Sequence, residues 1–240
     1  MVIEKKTPAI SVERLVIEYE IEVKKGRLPI GRRFSLRALD GVSFSVMPGE
    51  SVAVLGKNGA GKSTLLRSIG GHLRPKSGEI VTRGRVYTLA GANPGMIPYM
   101  SGRENVSLLA GAYGIPKNDR SAFVKEVEDF CELGEAFDRK FRTLSSGMAG
   151  RIGFGFTTSL DPEVLLMDET LGVGDEEFRK KAEAKAEDFM RKGETILLST
   201  HSLGLAKDMC PRGIVLEGGK IIFDGDIDDA VSCYIGSIKS

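Results

Sequence analysis

The chain has 240 residues, a length that suits one large α/β domain or two small ones. Its 34 basic and 33 acidic side chains leave a formal net charge of +1, which argues against bulk electrostatic attraction to nucleic acid. The sequence shows no signal-peptide core and no apolar run near the roughly 20 residues that span a bilayer. We therefore expect any role at a membrane to come through a partner protein.

The three cysteines stand far apart, at Cys131, Cys210 and Cys233, with no C-x-x-C spacing. This pattern is typical of reduced thiols in a cytosolic protein and does not favour zinc ligands or a disulfide framework.

The first elements in chain order are strands. Residues 10–23 mix β-branched and charged positions, as in strands with one solvated face. The basic segment 24–33 contains two glycines and a proline and predicts an exposed loop. It is either a solvated connection or a contact for a partner or anionic headgroups. Residues 36–46 resume a strand pattern, and 47–50 predict a turn.

A phosphate-binding loop follows directly. Val52–Leu55 reads as a buried strand, Gly56–Ser63 fits G-x-x-x-x-G-K-[ST], and a helix begins near Lys62. Glycines let successive backbone N–H groups turn inward around phosphates, and the helix adds the positive end of its dipole. Lys62 would reach the β- and γ-phosphates, and Ser63 would hold Mg²⁺. The predicted nucleotide-binding residues here are Gly56, Asn58, Gly59, Ala60, Gly61, Lys62, Ser63 and Thr64.

The remaining elements follow from periodicity and breakers. The pattern predicts a helix over 64–70, two short strands within 79–89, a breaker-rich segment over 90–99, a helix from a capping box at Ser101 and Glu104, and an amphipathic helix over 119–133. It then predicts a helix over 149–159, a strand ending at Asp168, a helix over 176–192, a strand over 195–199, a hairpin within 213–223 and a closing helix over 226–235.

A second set of polar residues follows two apolar strands. Asp168 and Glu169 end the strand that lies about a hundred residues after the phosphate loop, the position at which P-loop folds deliver an acid to the metal. We predict that Asp168 binds Mg²⁺ and that Glu169 orients or deprotonates the attacking water. His201 follows the next strand and could approach the γ-phosphate from the same sheet edge.

With these residues assembled, the chain resembles the ATP-binding subunits of ABC transporters, from about Ile10 to Ile235. The family's signature loop, usually L-S-G-G-Q, reads Leu144-Ser145-Ser146-Gly147-Met148 here. This variant is similar to the branch that exports lipid-linked polysaccharides such as O-antigen, capsule, teichoic acid and galactan. The resemblance implies an α/β P-loop fold: a mixed-sheet core, an antiparallel β lobe and an α-helical lobe inserted over about residues 92–160 of a single domain.

The resemblance also implies a head-to-tail homodimer that holds two ATP molecules with Mg²⁺. Each ATP would bind the phosphate loop of one subunit and meet Ser145 and Gly147 of the other. Gly174 and Asp175 match the region where the two subunits cross. Tyr19 is the candidate for stacking on adenine, with Phe34 as the alternative.

Two copies of a transmembrane permease would be the partners, with this chain peripheral on the cytoplasmic side of the inner membrane. The family's usual glutamine between the lobes is missing, and Asn93 or Ala92 stands near its place. The segment 94–99 would receive a helix of the permease. We expect the permease, and not this chain, to contact the glycan. The alternatives are an importer, another exporter or a soluble non-transport ABC ATPase, for which the sequence shows neither a second cassette nor a coiled-coil insertion.

Replacing Glu169 with Gln should trap a closed, ATP-bound dimer with hydrolysis largely lost, because the amide cannot accept the water's proton. ATPase rate and the dimer fraction in ATP check this expectation, and hydrolysis at the normal rate would show that the base is another residue.

Overall fold

The computed structural model describes residues 7–24, 31–90, 95–168 and 175–239, with the backbone alone at 22–24, 31–33, 90 and 239. A six-stranded mixed sheet forms the centre of the described part. Its strands, in spatial order, are β5 (Val86–Ala90), β6 (Val164–Asp168), β7 (Thr195–Ser199), β3 (Ser51–Leu55), β8 (Arg212–Glu217) and β9 (Lys220–Asp226). The first five are parallel and β9 is antiparallel to β8. Short apolar runs in the sequence predict such strands, because a parallel sheet is covered on both faces and its side chains are apolar on both sides.

A second, antiparallel sheet consists of β2 (Gly31–Val46), β1 (Ile10–Lys24) and β4 (Ser77–Thr82), in that spatial order. The two long strands correct the predicted loop over 24–33. Lys24 pairs with Gly31, and Val23 with Arg32, so only residues 25–30 lie outside the described strands. Backbone pairing along the hairpin satisfies these N–H and C=O groups whatever side chains they carry, and this outweighs the local glycine and lysine content.

Seven α-helices lie in the described part: α1 (Lys62–Ile69), α2 (Gly102–Ala112), α3 (Arg120–Cys131), α4 (Ser146–Ser159), α5 (Glu176–Arg191), α6 (Leu203–Met209) and α7 (Ile227–Lys239). Short 3₁₀ turns occupy Gly134–Asp138 and Phe141–Thr143. Helix α6 was not predicted, because seven residues are too few for a clear periodicity. Within these ranges no helix is long and apolar enough to cross a bilayer.

The capping box predicted at the start of α2 is confirmed. The Ser101 hydroxyl accepts a hydrogen bond from the Glu104 N–H at 3.1 Å, and the Glu104 carboxylate accepts one from the Ser101 N–H at 2.7 Å. Arg103, which lies between these two capping residues, donates to Glu128 of α3 and to Asp138, and so ties α2 to both neighbours.

Three apolar clusters hold the elements together. One face of the large sheet packs against α5, α6 and α7, and the other against α1 and the antiparallel sheet. The third cluster joins α2, α3 and α4, with Phe156 at its centre. The ring of Phe156 is fully buried and meets Tyr113 and Phe123 edge-on, at centroid distances of 5.4 Å and 5.6 Å.

Replacing Phe156 with Ala should lower the free energy of unfolding by about 3–5 kcal/mol, because the cavity left in this cluster cannot collapse completely. Leu108 of α2 is 48% exposed, so Leu108→Ala is the matched control and should change stability by no more than about 0.5 kcal/mol. Chemical denaturation measures both. An equal effect of the two substitutions would contradict the central place of Phe156.

Candidate nucleotide site

The phosphate loop follows the fully buried strand β3 and leads into α1. Gly59 and Gly61 have φ angles of +80° and +110°, which L side chains rarely adopt. A Cβ on Gly61 would lie 2.7 Å from the Ala38 carbonyl oxygen, so only glycine fits beside that backbone. A Cβ on Gly59 would meet nothing within 4 Å, so this side of the loop is open. The loop therefore has room for a phosphate chain at the positive end of the α1 dipole.

Lys62 lies in the first turn of α1 and is buried. Its ammonium donates hydrogen bonds to the Gly56 carbonyl oxygen at 2.6 Å and to the Lys57 carbonyl oxygen at 3.2 Å. Burial lowers the pKa of Lys62, and the negative charge of Asp168 opposes this shift. The geometry thus holds a partly desolvated cation at the loop, within electrostatic reach of Asp168.

Tyr19 reaches the same helix from the antiparallel sheet. Its hydroxyl lies 3.3 Å from the Thr64 hydroxyl, one residue after the exposed Ser63. Phe34 pairs with Ile21, two residues farther along β1, so Tyr19 and Phe34 share one face of the hairpin. The contact with Thr64 places Tyr19 beside the phosphate loop.

Asp168 and His201 follow two neighbouring strands at the same edge of the sheet, since Asp168 of β6 pairs with Ser199 of β7. Partial burial lowers the pKa of His201, and the positive charge of Lys62 lowers it further, against the opposing effect of Asp168. The imidazole is therefore neutral at physiological pH and can both donate and accept a hydrogen bond. The structure thus brings Lys62, Asp168 and His201 together, as the sequence predicted for this edge.

Three predicted residues lie outside the described part of the chain: Glu169, Gly174 and Asn93. Their roles as base, subunit contact and coupling-loop residue stay predictions, as does any role of Ala92.

The signature loop forms the N-terminus of α4. The Ser145 hydroxyl caps the helix by accepting a hydrogen bond from the Met148 N–H at 3.2 Å. The helix begins three residues before its predicted start because this cap orders its first turn. Ser145 is exposed and Gly147 is partly exposed, so the positive end of the α4 dipole faces outward. This surface can receive phosphate oxygens of a nucleotide held by another molecule.

Asp175, a predicted subunit contact, has two partners within its own chain. Its carboxylate caps α5 by accepting from the Phe178 N–H at 3.0 Å, and it also accepts from Arg151 of α4 at 2.5 Å. The hydrogen bond from Phe178 is the main reason that the pKa of Asp175 lies below its usual range. The sequence analysis missed Arg151, because nothing along the chain indicates that residues 24 positions apart meet.

All three cysteines are free, and burial raises the pKa of Cys131 and of Cys210 to about 12. No group of three or more His, Cys, Asp or Glu side chains suited to a metal occurs among the described residues. The oxygens of Ser63 and Asp168 are sufficient for a hard cation that arrives with a triphosphate. Mg²⁺ needs only one or two protein oxygens, because phosphates and water supply its other ligands.

Replacing Lys62 with Ala should abolish measurable ATP binding, because the cation at the phosphate loop is lost. Lys57→Ala is the matched control, since the Lys57 ammonium points to the Ser237 carbonyl oxygen at 2.6 Å and should contribute little. Calorimetric titration with ATP measures both affinities. Unchanged affinity in Lys62→Ala would contradict the assignment of the loop.

Comparison with known proteins supports the same interpretation. Residues 39–172 match the family described as ABC transporter. An O-antigen export system ATP-binding protein of Myxococcus xanthus is 41% identical over 85% of this chain, which spans 47% of that relative. A counterpart of Yersinia enterocolitica is 39% identical over 82% of both chains. A teichoic acids export ATP-binding protein of Staphylococcus epidermidis is 31% identical over 97% of this chain and 90% of its own.

Solved structures confirm the predicted fold class. A structure of the ATP-binding subunit of an ABC transporter superposes with a TM-score of 0.76 at 24% identity, over 96% of this chain and 94% of its own. An ATP-binding cassette in a post-hydrolysis state, described as dimeric and bound to ADP and Pi, gives a TM-score of 0.74 at 23% identity, over 91% of this chain and 98% of its own. The predicted resemblance to the family and to its polysaccharide-export branch is confirmed by the relatives, and the chain belongs to the ABC transporter family.

Proposed function

We propose that the chain is the ATP-hydrolysing subunit of a transporter that exports a lipid-linked polysaccharide through a separate membrane permease. The observation that carries this proposal is the meeting of the phosphate loop, Asp168 and His201 at one edge of the parallel sheet. The relatives named as O-antigen and teichoic acid export proteins support the choice of cargo class.

The chain binds the triphosphate through the loop amides, Lys62 and the N-terminus of α1. Lys62 gives up its hydrogen bonds to the Gly56 and Lys57 carbonyl oxygens and donates to phosphate oxygens instead. The new hydrogen bonds are stronger because the phosphate oxygens are charged. Tyr19 offers its ring to the adenine from the antiparallel sheet, at the side of the loop marked by Thr64. These groups hold the nucleotide in a single orientation, which phosphoryl transfer requires more than it requires covalent chemistry.

Ser63 and Asp168 are the residues that would hold Mg²⁺. The ion bound with the triphosphate would neutralise charge on the phosphate oxygens. Glu169, the residue after Asp168, accepts a proton from the attacking water in this proposal. His201 contacts the γ-phosphate by donating a hydrogen bond, and its pKa is lowered first by desolvation and then by the positive charge of Lys62.

Hydrolysis needs two copies of the chain. The exposed N-terminus of α4, with Ser145 and Gly147, suits the γ-phosphate of a nucleotide held by the partner copy. ATP binding closes this homodimer and hydrolysis releases it, so the dimer is a two-state element that can drive a membrane partner.

The permease would dock at the cleft between the core and the helices α2–α4. This cleft has a volume of about 770 Å³ and is lined by Tyr87, Gly95 and Tyr113 among others. Tyr99, four residues after Gly95 in the chain, is 71% exposed and carries the Arg142 guanidinium 5.2 Å from its ring centroid. The cleft mixes polar and apolar side chains, so together with the exposed Tyr99 ring it suits an amphipathic helix. Docking here places the chain peripherally, on the cytoplasmic face of the inner membrane, with two permease copies for one dimer.

The proposed function is tested by copurifying the chain with a candidate polytopic permease from its source and measuring ATPase activity with lipid-linked glycans. We expect a complex of two copies of each subunit whose ATPase rate rises several-fold with the transported glycan. Tyr99→Glu should lose the permease and retain ATP binding, because a carboxylate cannot enter an apolar interface without a desolvation cost.

Ile238→Glu is the matched control. Ile238 is 51% exposed on α7, which packs on β8 and β9 at the opposite edge of the sheet from β5, so this substitution should leave the complex intact. Equal loss of the complex in both variants would contradict the docking cleft. Stimulation by a substrate delivered by a binding protein, and not by any lipid-linked glycan, would identify an importer.

A further inference from the structure

Ser199 is the last residue of β7 and is fully buried. Among the described residues its hydroxyl is the one buried side-chain polar atom that has no hydrogen-bond partner. A buried hydroxyl without a partner costs free energy, and native proteins keep few of them. The residue ends a strand whose preceding side chains, Ile196, Leu197 and Leu198, are apolar. A serine at this point therefore needs an explanation beyond packing.

The strand register defines the surroundings of this hydroxyl. Ser199 pairs with Asp168 of β6 on one side and with Val54 of β3 on the other. Paired residues in neighbouring strands project their side chains to the same face, about 5 Å apart. Val54 has no polar side-chain atom, so the Asp168 carboxylate is the acceptor that its paired neighbours offer.

The face is the one covered by α1. Leu197, two residues before Ser199, belongs to the apolar cluster that contains Leu65 and Leu66 of α1. Side chains two positions apart in a strand share a face, so Ser199 also faces α1. The first turn of that helix carries Lys62 and Ser63, the residues assigned to phosphate and cation. The orphan hydroxyl thus lies between the acid of the metal site and the helix that holds the nucleotide.

We propose that Ser199 is a positioning residue of the magnesium–nucleotide site, whose hydroxyl donates a hydrogen bond to the Asp168 carboxylate when the metal and nucleotide are bound. This inference rests on the proposed function. Groups that hydrogen-bond a metal ligand orient it and are needed for full metal affinity. The free-energy cost of burying the hydroxyl unpaired is recovered when it donates to the carboxylate, so this hydrogen bond favours metal binding.

Ser199→Ala separates this role from a structural one, because the two readouts change in opposite directions. The methyl group removes the unpaired hydroxyl, so the melting temperature without nucleotide should stay the same or rise. The affinity for Mn²⁺ in the presence of ADP, measured by the paramagnetic resonance of free Mn²⁺, should fall about 10- to 100-fold. ADP affinity in chelator should be unchanged, since Ser199 acts through the carboxylate and not through the phosphates.

Ser68→Ala is the matched control. Ser68 is a buried serine of α1 whose hydroxyl already donates to the Thr64 carbonyl oxygen at 2.7 Å, so its loss should leave Mn²⁺ affinity unchanged. Ser199→Thr keeps the hydroxyl and should retain more metal affinity than Ser199→Ala.

If Ser199→Ala kept its Mn²⁺ affinity while the unsubstituted chain bound normally, the role of Ser199 would be overturned and the proposed function would stand. If Ser199→Ala lost ADP affinity in chelator as strongly as it lost Mn²⁺ affinity, the role of Ser199 would also be overturned. The substitution would then impair nucleotide binding in general and not the metal site. If the unsubstituted chain bound neither ADP nor its Mn²⁺ complex, the proposed function itself would fail.

Discussion

The parallel register of β6, β7 and β3 is the constraint on which the rest of the site depends. Hydrogen bonding in this order places Asp168, Ser199 and Val54 in one row across the sheet, with the phosphate loop beginning two residues after Val54. Because parallel strands all end at the same edge, three segments far apart in the chain deliver their polar residues to one place. A shift of one residue in any of these strands would turn its side chains to the opposite face.

The charged groups at this edge of the sheet make it suitable for binding an anion. Lys62 is buried against carbonyl oxygens at the N-terminus of α1, and its charge helps keep His201 neutral. Asp168 faces both groups and moderates the pKa of each. A triphosphate would meet a desolvated ammonium and a helix N-terminus, both stronger partners for a phosphate inside a protein than in water. Burial therefore lowers the pKa of Lys62 and also strengthens the contact of its ammonium with phosphate.

The helices α2–α4 pack around one apolar cluster of their own. Ser145 caps α4 and faces outward, while Arg151, less than two turns later, binds Asp175 and lies 4.9 Å from the centre of the Phe178 ring. Helix α4, which carries Ser145 at its N-terminus, is thereby tied to α5, which begins eight residues after Asp168. A closing dimer would therefore move the signature helix together with the start of α5. In the proposed dimer, this shared motion would link the nucleotide to the proposed docking cleft.

By itself the sequence determined the features that contiguous residues encode: the phosphate loop, the capping box of α2 and the acid at the end of β6. Each depends on local backbone geometry or residue chemistry, which short spacing reveals. Only the tertiary structure decided that Lys24 and Gly31 pair in a long hairpin, that Arg151 meets Asp175, and that the Ser199 hydroxyl is buried beside Asp168 without a partner. These facts depend on which distant segments pack together, because hydrogen-bond pairing and burial are decided between strands and helices and not within them.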